Sequence, residues 1–452
     1  MNNEDLVYLY DCKKYKYEFT KFNPSREYKE LEKIDISLSS DKDIYNAVRN
    51  LFISMKFDEK NIGKKTWNPF KDFIKKGQTI LIKPNLVLHK NENKLGTTDS
   101  IITNFSIIRP IVDYVILALG NTGKIIIGDA PVQDCNFDEL KKINSLEKNI
   151  ISYKKLYKNI HFLDFRKNQN SNIDCLLVNL GKESLLCEIQ RDESKFAVTN
   201  YDLTMMHIHH NKDKHEYIIP KCVLESDVII NLPKPKTHKK AGITACMKNF
   251  IGINGNKECL PHHRIGCPTE NGDEYKDGGI FPKMYSYFLK KSYKKNFIID
   301  FFRKCSRVGL ILTKKNVYKE GNWYGNETLP RTIVDLNKVV IYADKNGIIK
   351  EKAQRIIFSV CDMIISGEKE GPMAPLDKEV GYIVAGFNTI NNDYIICKLM
   401  GFNPKKIKYI SIYIPRGRGI PKCLLANNGN MINDISKYQK RFEPASGWRG
   451  YL

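Results

Sequence analysis

Short β-branched runs ending in Pro, Gly or Asp alternate along the chain with longer segments of helical period. Thr79–Lys83, Lys124–Gly128, Asp227–Leu232, Arg355–Ile365, Val380–Phe387 and Ile407–Tyr413 read as strands. Between them, Asp43–Phe57 places Ile44, Val48, Leu51, Phe52 and Met55 on one helical face. Asn104–Gly120, residues 135–158, Arg331–Tyr342 and Asn391–Gly401 continue the helical series. Strand, loop, helix and strand over 79–128 make a βαβ unit, so its two strands should be parallel. Shorter alternating runs at Cys175–Leu180 and Leu185–Ile189 predict an inserted antiparallel element. Phe281–Lys319 is basic and aromatic, and reads first as a helical hairpin with a solvated basic face. A membrane-surface helix and a lid over an anionic ligand are the alternatives for it.

This order defines an α/β protein, two-lobed, with a mainly parallel sheet core. The inserted antiparallel element and the helical basic segment are added to that core. The expected division is an N-terminal extension at 1–75 and a first α/β lobe at 76–275, with an insertion at about 160–215. The basic helical segment follows at 276–330, then a second α/β lobe and tail at 331–452.

Charge changes the picture more than composition does. The 452 residues are 42% hydrophobic, ordinary for a folded chain, but carry 73 basic against 51 acidic side chains, a net +22. The surplus is mostly Lys spread along the whole sequence, and no nucleic-acid module accompanies it, which disfavours nucleic acid as partner. A small anionic substrate is the more economical use of a basic site. The 12 cysteines are scattered without CxxC pairs, and nothing at the start reads as a signal peptide. No apolar run reaches the roughly 18 residues of a membrane span. Cytoplasmic location with reduced thiols is the expectation.

The chemistry concentrates between Asp227 and Tyr275. A buried strand ends at Pro233 and Pro235, which cannot donate to a sheet ladder, and hands over to Lys234, Lys236, His238, Lys248 and Asn249. Open α/β sheets place ligands at such strand ends. Other strand ends should bring Lys83, Asn85, Thr98, Asp99, Asp129, Glu368 and Gly371 to the same edge. Of these, Lys83, Asn85, Thr98, Asp99, Lys236, Asn249, Arg264, Glu368 and Gly371 are expected to hold a substrate anion. His238 suits proton transfer, Lys248 anion pairing or nucleophilic attack, and Asp129 is the third catalytic candidate. His262 and His263 are candidate ligands for a divalent metal, with Cys246, Cys259 and Cys267 nearby, although the spacing is looser than compact zinc modules use. His207, His209, His210 and His215 read as a solvated loop or strand end.

These residues also carry a resemblance. NLPKPKTH, MKNFIG, ILIKPNLV, TTDSIIT, IIIGDAP and GEKEGPMAPLDKEVGYIVAG together resemble the domain of unknown function 362 family. That family supplies no reaction, and the ferredoxin-type cysteine spacings of some of its members are missing here, so no iron–sulfur cluster is expected. The layout of residues 235–263 is also distantly similar to nickel-dependent lactate racemases. On that layout His238 would be the proton-transfer base, Lys248 the cofactor lysine, and His262 or His263 the metal ligand. Two departures stand against it: Ala245-Cys246-Met247 replaces a Gly-Gly, and Lys236-Thr237 separates the Pro from the His. The expectation is an enzyme of the isomerase or oxidoreductase class. The alternatives are a binding or assembly protein that docks an acidic partner, a membrane surface or a polyanionic glycan, and a metal-dependent hydrolase or transferase. Cofactor identity and oligomeric state stay open.

Overall fold

The computed structural model describes residues 5–12, 17, 24, 26–32, 34, 44–143, 146–167, 172–190, 195–199, 201–212, 214–291, 296–312, 319–414 and 421–452. Asp43, residues 292–295 and 313–318 of the basic segment, and 415–420 of the tail lie outside them. The strands are β1 (Val7–Asp11), β2 (Thr79–Pro84), β3 (Lys124–Asp129), β4 (Ile160–Asp164), β5 (Cys175–Asn179), β6 (Phe196–Ala197), β7 (His210–Asn211) and β8 (Lys214–Pro220). They continue as β9 (Val228–Leu232), β10 (Lys236–His238), β11 (Gly242–Thr244), β12 (His263–Arg264), β13 (Ile356–Glu370), β14 (Ala374–Gly386), β15 (Cys423–Leu425) and β16 (Asn430–Met431). The helices are α1 (Ile44–Ser54), α2 (Phe105–Leu119), α3 (Phe137–Lys142), α4 (Leu146–Leu156), α5 (Thr204–His209) and α6 (Lys221–Leu224). After them come α7 (Cys246–Asn249), α8 (Ile280–Lys291), α9 (Phe297–Leu312), α10 (Thr328–Tyr342), α11 (Thr389–Leu399) and α12 (Lys408–Tyr413).

An 11-stranded sheet in the order β16-β15-β1-β14-β13-β9-β2-β3-β4 organises the molecule, with β10 joining it beside β13 and β11 beside β10. The run β13-β9-β2-β3-β4 is parallel throughout. Its strands are apolar on both faces because both faces are covered. In β2, Ile80 and Ile82 join the core built with α1, α2 and α4, while Leu81 joins the core built with β5, β8 and α10. β3 and β9 repeat the alternation with Ile125, Ile127, Val228 and Ile230 against Ile126 and Ile229. Helix α2 starts on Asn104, whose side chain accepts the Ser106 N–H, and ends at Gly120. The two expected lobes contribute to one sheet, since β9 pairs with β13. β1, from the expected N-terminal extension, lies between β14 and β15.

Four local readings change. Leu185–Glu188 is a 3-10 turn rather than a strand, because Ser184 caps it and Asp335 accepts the Leu185 N–H. Ile407–Tyr413 is not a strand either: Lys408–Tyr413 forms α12, burying Tyr409 and Ile410 while Lys408 pairs with Glu327. Six alternating residues cannot distinguish the two periods; packing decides. Residues 367–370 continue β13 in pairing with β14 instead of forming a flexible loop. The histidine cluster is not solvated: His209, His210 and His215 are buried around β7 and β8, His209 against Glu216 and His210 against His215 and the Cys259 carbonyl.

Candidate functional site

At the carboxyl ends of β2, β3 and β9, polar side chains fill space that is apolar further along the strands. Lys83 leaves β2 fully buried and donates to Asp129 Oδ1 at 2.7 Å, while Asp129 Oδ2 accepts the Leu86 N–H at 2.6 Å. Gly252 passes so close that a Cβ there would lie 2.0 Å from Asp129 Oδ1, so only glycine fits against the pair. Asn249, the last residue of α7, ties the strand ends together. Its Nδ2 donates to Asn231 Oδ1 at 2.7 Å and to the Lys83 carbonyl at 3.1 Å, and its Oδ1 accepts Asn85 Nδ2 at 3.1 Å. Asp393 of α11 holds α7 in place by accepting the Cys246 and Met247 N–H groups at 2.6 and 3.1 Å.

Around this amide frame lie four lysines, of which Lys236, Lys248 and Lys257 make no ion pair among the described residues. Lys236, fully buried, donates to Asn85 Oδ1 at 2.5 Å and forms no ion pair among the described residues. Burial, then repulsion from Lys234 and Lys248, holds its pKa well below that of an ordinary lysine. Lys248 has no hydrogen-bond partner among the described residues, and burial together with Lys257 brings it down to about 7. Lys257 donates to the Ile251 carbonyl at 3.2 Å and falls to about 8, chiefly through burial. Lys240, bonded to the Glu320 carbonyl, is lowered by burial while Glu320, Glu274 and Asp273 pull the other way. Asp129 is the carboxylate felt in common by Lys236, Lys248 and Lys257, and it already pairs with Lys83. Buried positive charge without compensation is costly.

Two histidines border the lysines, and their hydrogen bonds give them opposite tautomers. His238 Nδ1 accepts the N–H groups of Lys240 and Ala241 at 3.0 and 3.1 Å. Its proton therefore sits on Nε2, and burial followed by the field of Lys248 keeps the ring neutral. His262 does the reverse. Its Nδ1 donates to the Leu260 carbonyl at 2.7 Å, leaving the Nε2 lone pair bare, with a pKa pushed down to about 3 by burial and Lys240. His262 lies within electrostatic reach of His238. The base expected at His238 is thus a hydrogen-bond donor, and the bare nitrogen belongs to His262.

Other expected site residues are occupied elsewhere. Arg264 is held by the Ile189 carbonyl at 2.7 Å and by Asp273, which caps α10 through the Glu327 and Thr328 N–H groups. Glu368 receives Lys378 and the Glu443 N–H. Gly371 is a packing position: a Cβ would meet the Thr237 carbonyl at 2.0 Å. Thr98 and Asp99 form a 3-10 turn beside Lys234, with Asp99 accepting from Asn104 at 3.0 Å. His263 opens β12, buried where that strand pairs with β6 at Ala197. Among the described residues no group of three or more His, Cys, Asp or Glu side chains could hold a metal ion. Sequence reasoning passed over Asn231, Lys240, Lys257 and Asp393. Lys240 and Lys257 flank the NLPKPKTH and MKNFIG segments, and that proximity was the available signal.

Residues 190–398 match the family model described as Domain of unknown function (DUF362). The matched stretch spans β9, α7, both site histidines and β13. No curated protein matches the chain.

Proposed function

We propose that the cluster of lysines and histidines at the ends of β2, β3 and β9 binds a small anionic substrate and moves a proton on it. The observation that carries the reading is the conjunction of Lys236, Lys248 and Lys257, unpaired with carboxylate, and two neutral histidines of opposite tautomer. A carboxylate or phosphate of the substrate would take the place of the missing counter-charge. His238 Nε2–H would donate to a substrate oxygen on which negative charge develops, and His262 Nε2 would accept the proton that leaves, once the bound anion offsets the burial and the Lys240 field that hold its pKa down. A neutral imidazole is a suitable donor for this, since it holds the oxyanion without giving its proton away at rest. An isomerase is the class this supports best.

The test has two arms. Calorimetry with inorganic phosphate and with simple 2-hydroxy acids should show binding that is lost in Lys236→Met. Deuterium exchange at the carbon beside the carboxylate, followed by NMR in heavy water, should be abolished in His262→Gln and slowed about 100-fold or more in His238→Ala. Exchange that survives His262→Gln at the wild-type rate in a folded variant would remove the base assignment. Wild-type protein that binds none of these anions would overturn the reading altogether.

A further inference from the structure

The hairpin of α8 and α9 has a face that the rest of the fold leaves uncovered. α9 packs inward through Ser306, Gly309 and Leu310, with Gly309 so close to α8 that a Cβ would lie 2.3 Å from the Phe281 ring. Its outer side carries the basic residues expected from the sequence and, beside them, large apolar side chains. Phe297, Phe301, Val308 and Leu312 are 84%, 53%, 55% and 78% exposed. They recur one to two turns apart, so they form a single apolar stripe along α9. Ile298 and Ile311 widen it, and Tyr287 of α8 is also exposed. Arg303 and Arg307 lie along one side of that stripe and Lys304 within its edge, and α8 adds Lys283 and Lys291. The carboxylate on α9 is Asp300, already paired with Arg303 and Lys304.

An exposed stripe of this size is unusual on a monomer surface. Apolar and basic sectors side by side on one helix match the two layers of an anionic bilayer surface: acyl chains beneath, acidic headgroups above. No helix among the described residues is long and apolar enough to cross a membrane. We infer that α8–α9 is a monotopic docking element, with the stripe of α9 inserted at the headgroup boundary of a membrane rich in anionic lipid. The hairpin is fastened to the body through Ser286, which donates to Glu274 Oε2 at 2.7 Å, and through Lys283, which pairs with Glu270. Docking would therefore fix the orientation of the whole protein on the surface.

The experiment is sedimentation of the full chain with vesicles of phosphatidylcholine, alone or mixed with phosphatidylglycerol. Wild type should pellet with the mixed vesicles and stay in solution with phosphatidylcholine alone. Phe301→Glu with Val308→Glu should abolish pelleting. Arg303→Gln, Lys304→Gln and Arg307→Gln should each weaken it roughly fivefold at low salt. All five positions face solvent, at least in part, so circular dichroism should be unchanged. Wild type that stays in solution with mixed vesicles would overturn the inference, and so would a double variant that pellets as well as wild type. A lipid-free dimer that the same two glutamates dissolve would assign the stripe to a second copy of the chain and overturn it equally.

Discussion

Lys234 and Lys236 are two residues apart, both fully buried, and carry opposite lessons. Lys234 has three partners: Asp362 Oδ2 at 2.8 Å, the Tyr17 hydroxyl at 2.6 Å and the Ile365 carbonyl at 2.8 Å. Asp362 in turn accepts the Asn104 N–H at 2.9 Å and the Tyr17 hydroxyl. That cluster is electrically closed. Lys236 has an amide oxygen and the repulsion of its neighbours. Burial of a charge does not mark a site; what distinguishes the two lysines is whether the protein supplies the opposite charge.

The comparison breaks first where the charge is closed. Lys234→Met strands Asp362 and Tyr17 in the interior and should cost about 3–5 kcal/mol in denaturant unfolding. Lys236→Met removes a charge that nothing neutralises, so stability should hold or rise while affinity for phosphate falls ~10-fold or more. Near-equal destabilisation by both variants would erase the distinction. A sharper version converts one lysine into the other. Asn85→Asp would place a carboxylate against Lys236, and binding of external anions should drop about tenfold in a folded protein. Retained affinity would place the anion elsewhere.

The last test is in pH. Lys248 titrates near 7 in the folded chain against 10.5 for a free lysine, so the unfolded chain binds more protons between those values. Unliganded stability should therefore rise with pH across that window, and Lys248→Met should flatten the rise. Anion affinity should move the opposite way, falling as pH climbs through 7 and 8 and Lys248 and then Lys257 lose their charge. Titration calorimetry against pH measures the second trend, and urea melts the first.

Much of the fold was legible because the strands buried on both faces leave unbroken apolar runs, as in IIIG of β3 and VIINL of β9. α2, α10 and α11 showed through their period and their end signals. Short elements were not legible: α12 and the turn at Leu185 depend on Glu327 and Asp335, distant in sequence. For the candidate site, residue types pointed to Lys236, His238, Lys248 and Asn249, which the fold does bring to neighbouring strand ends. Roles were another matter. Which histidine can take a proton is set by the backbone N–H groups of Lys240 and Ala241 and by one carbonyl at Leu260, and no side-chain pattern encodes those. Arg264 and Glu368 looked like anion ligands because their partners, Ile189 and Glu443, lie far away in the chain.

The strand order has a bearing on how the molecule is made. Leu9 of β1 sits opposite Val384 and Leu425, so its neighbours emerge from the ribosome only after most of the chain has been synthesised. β13, which must slot between β14 and β9, is late as well. Early in translation the edge of β9 that β13 will cover stays open, and the lysines destined for burial beside it stay wet. Closing contacts of such sequence separation carries a large loop entropy before any pairing rewards it. Assembly of the central sheet should therefore be a late and largely post-translational event, and nascent chains that stop before residue 356 should be the ones that chaperones retain.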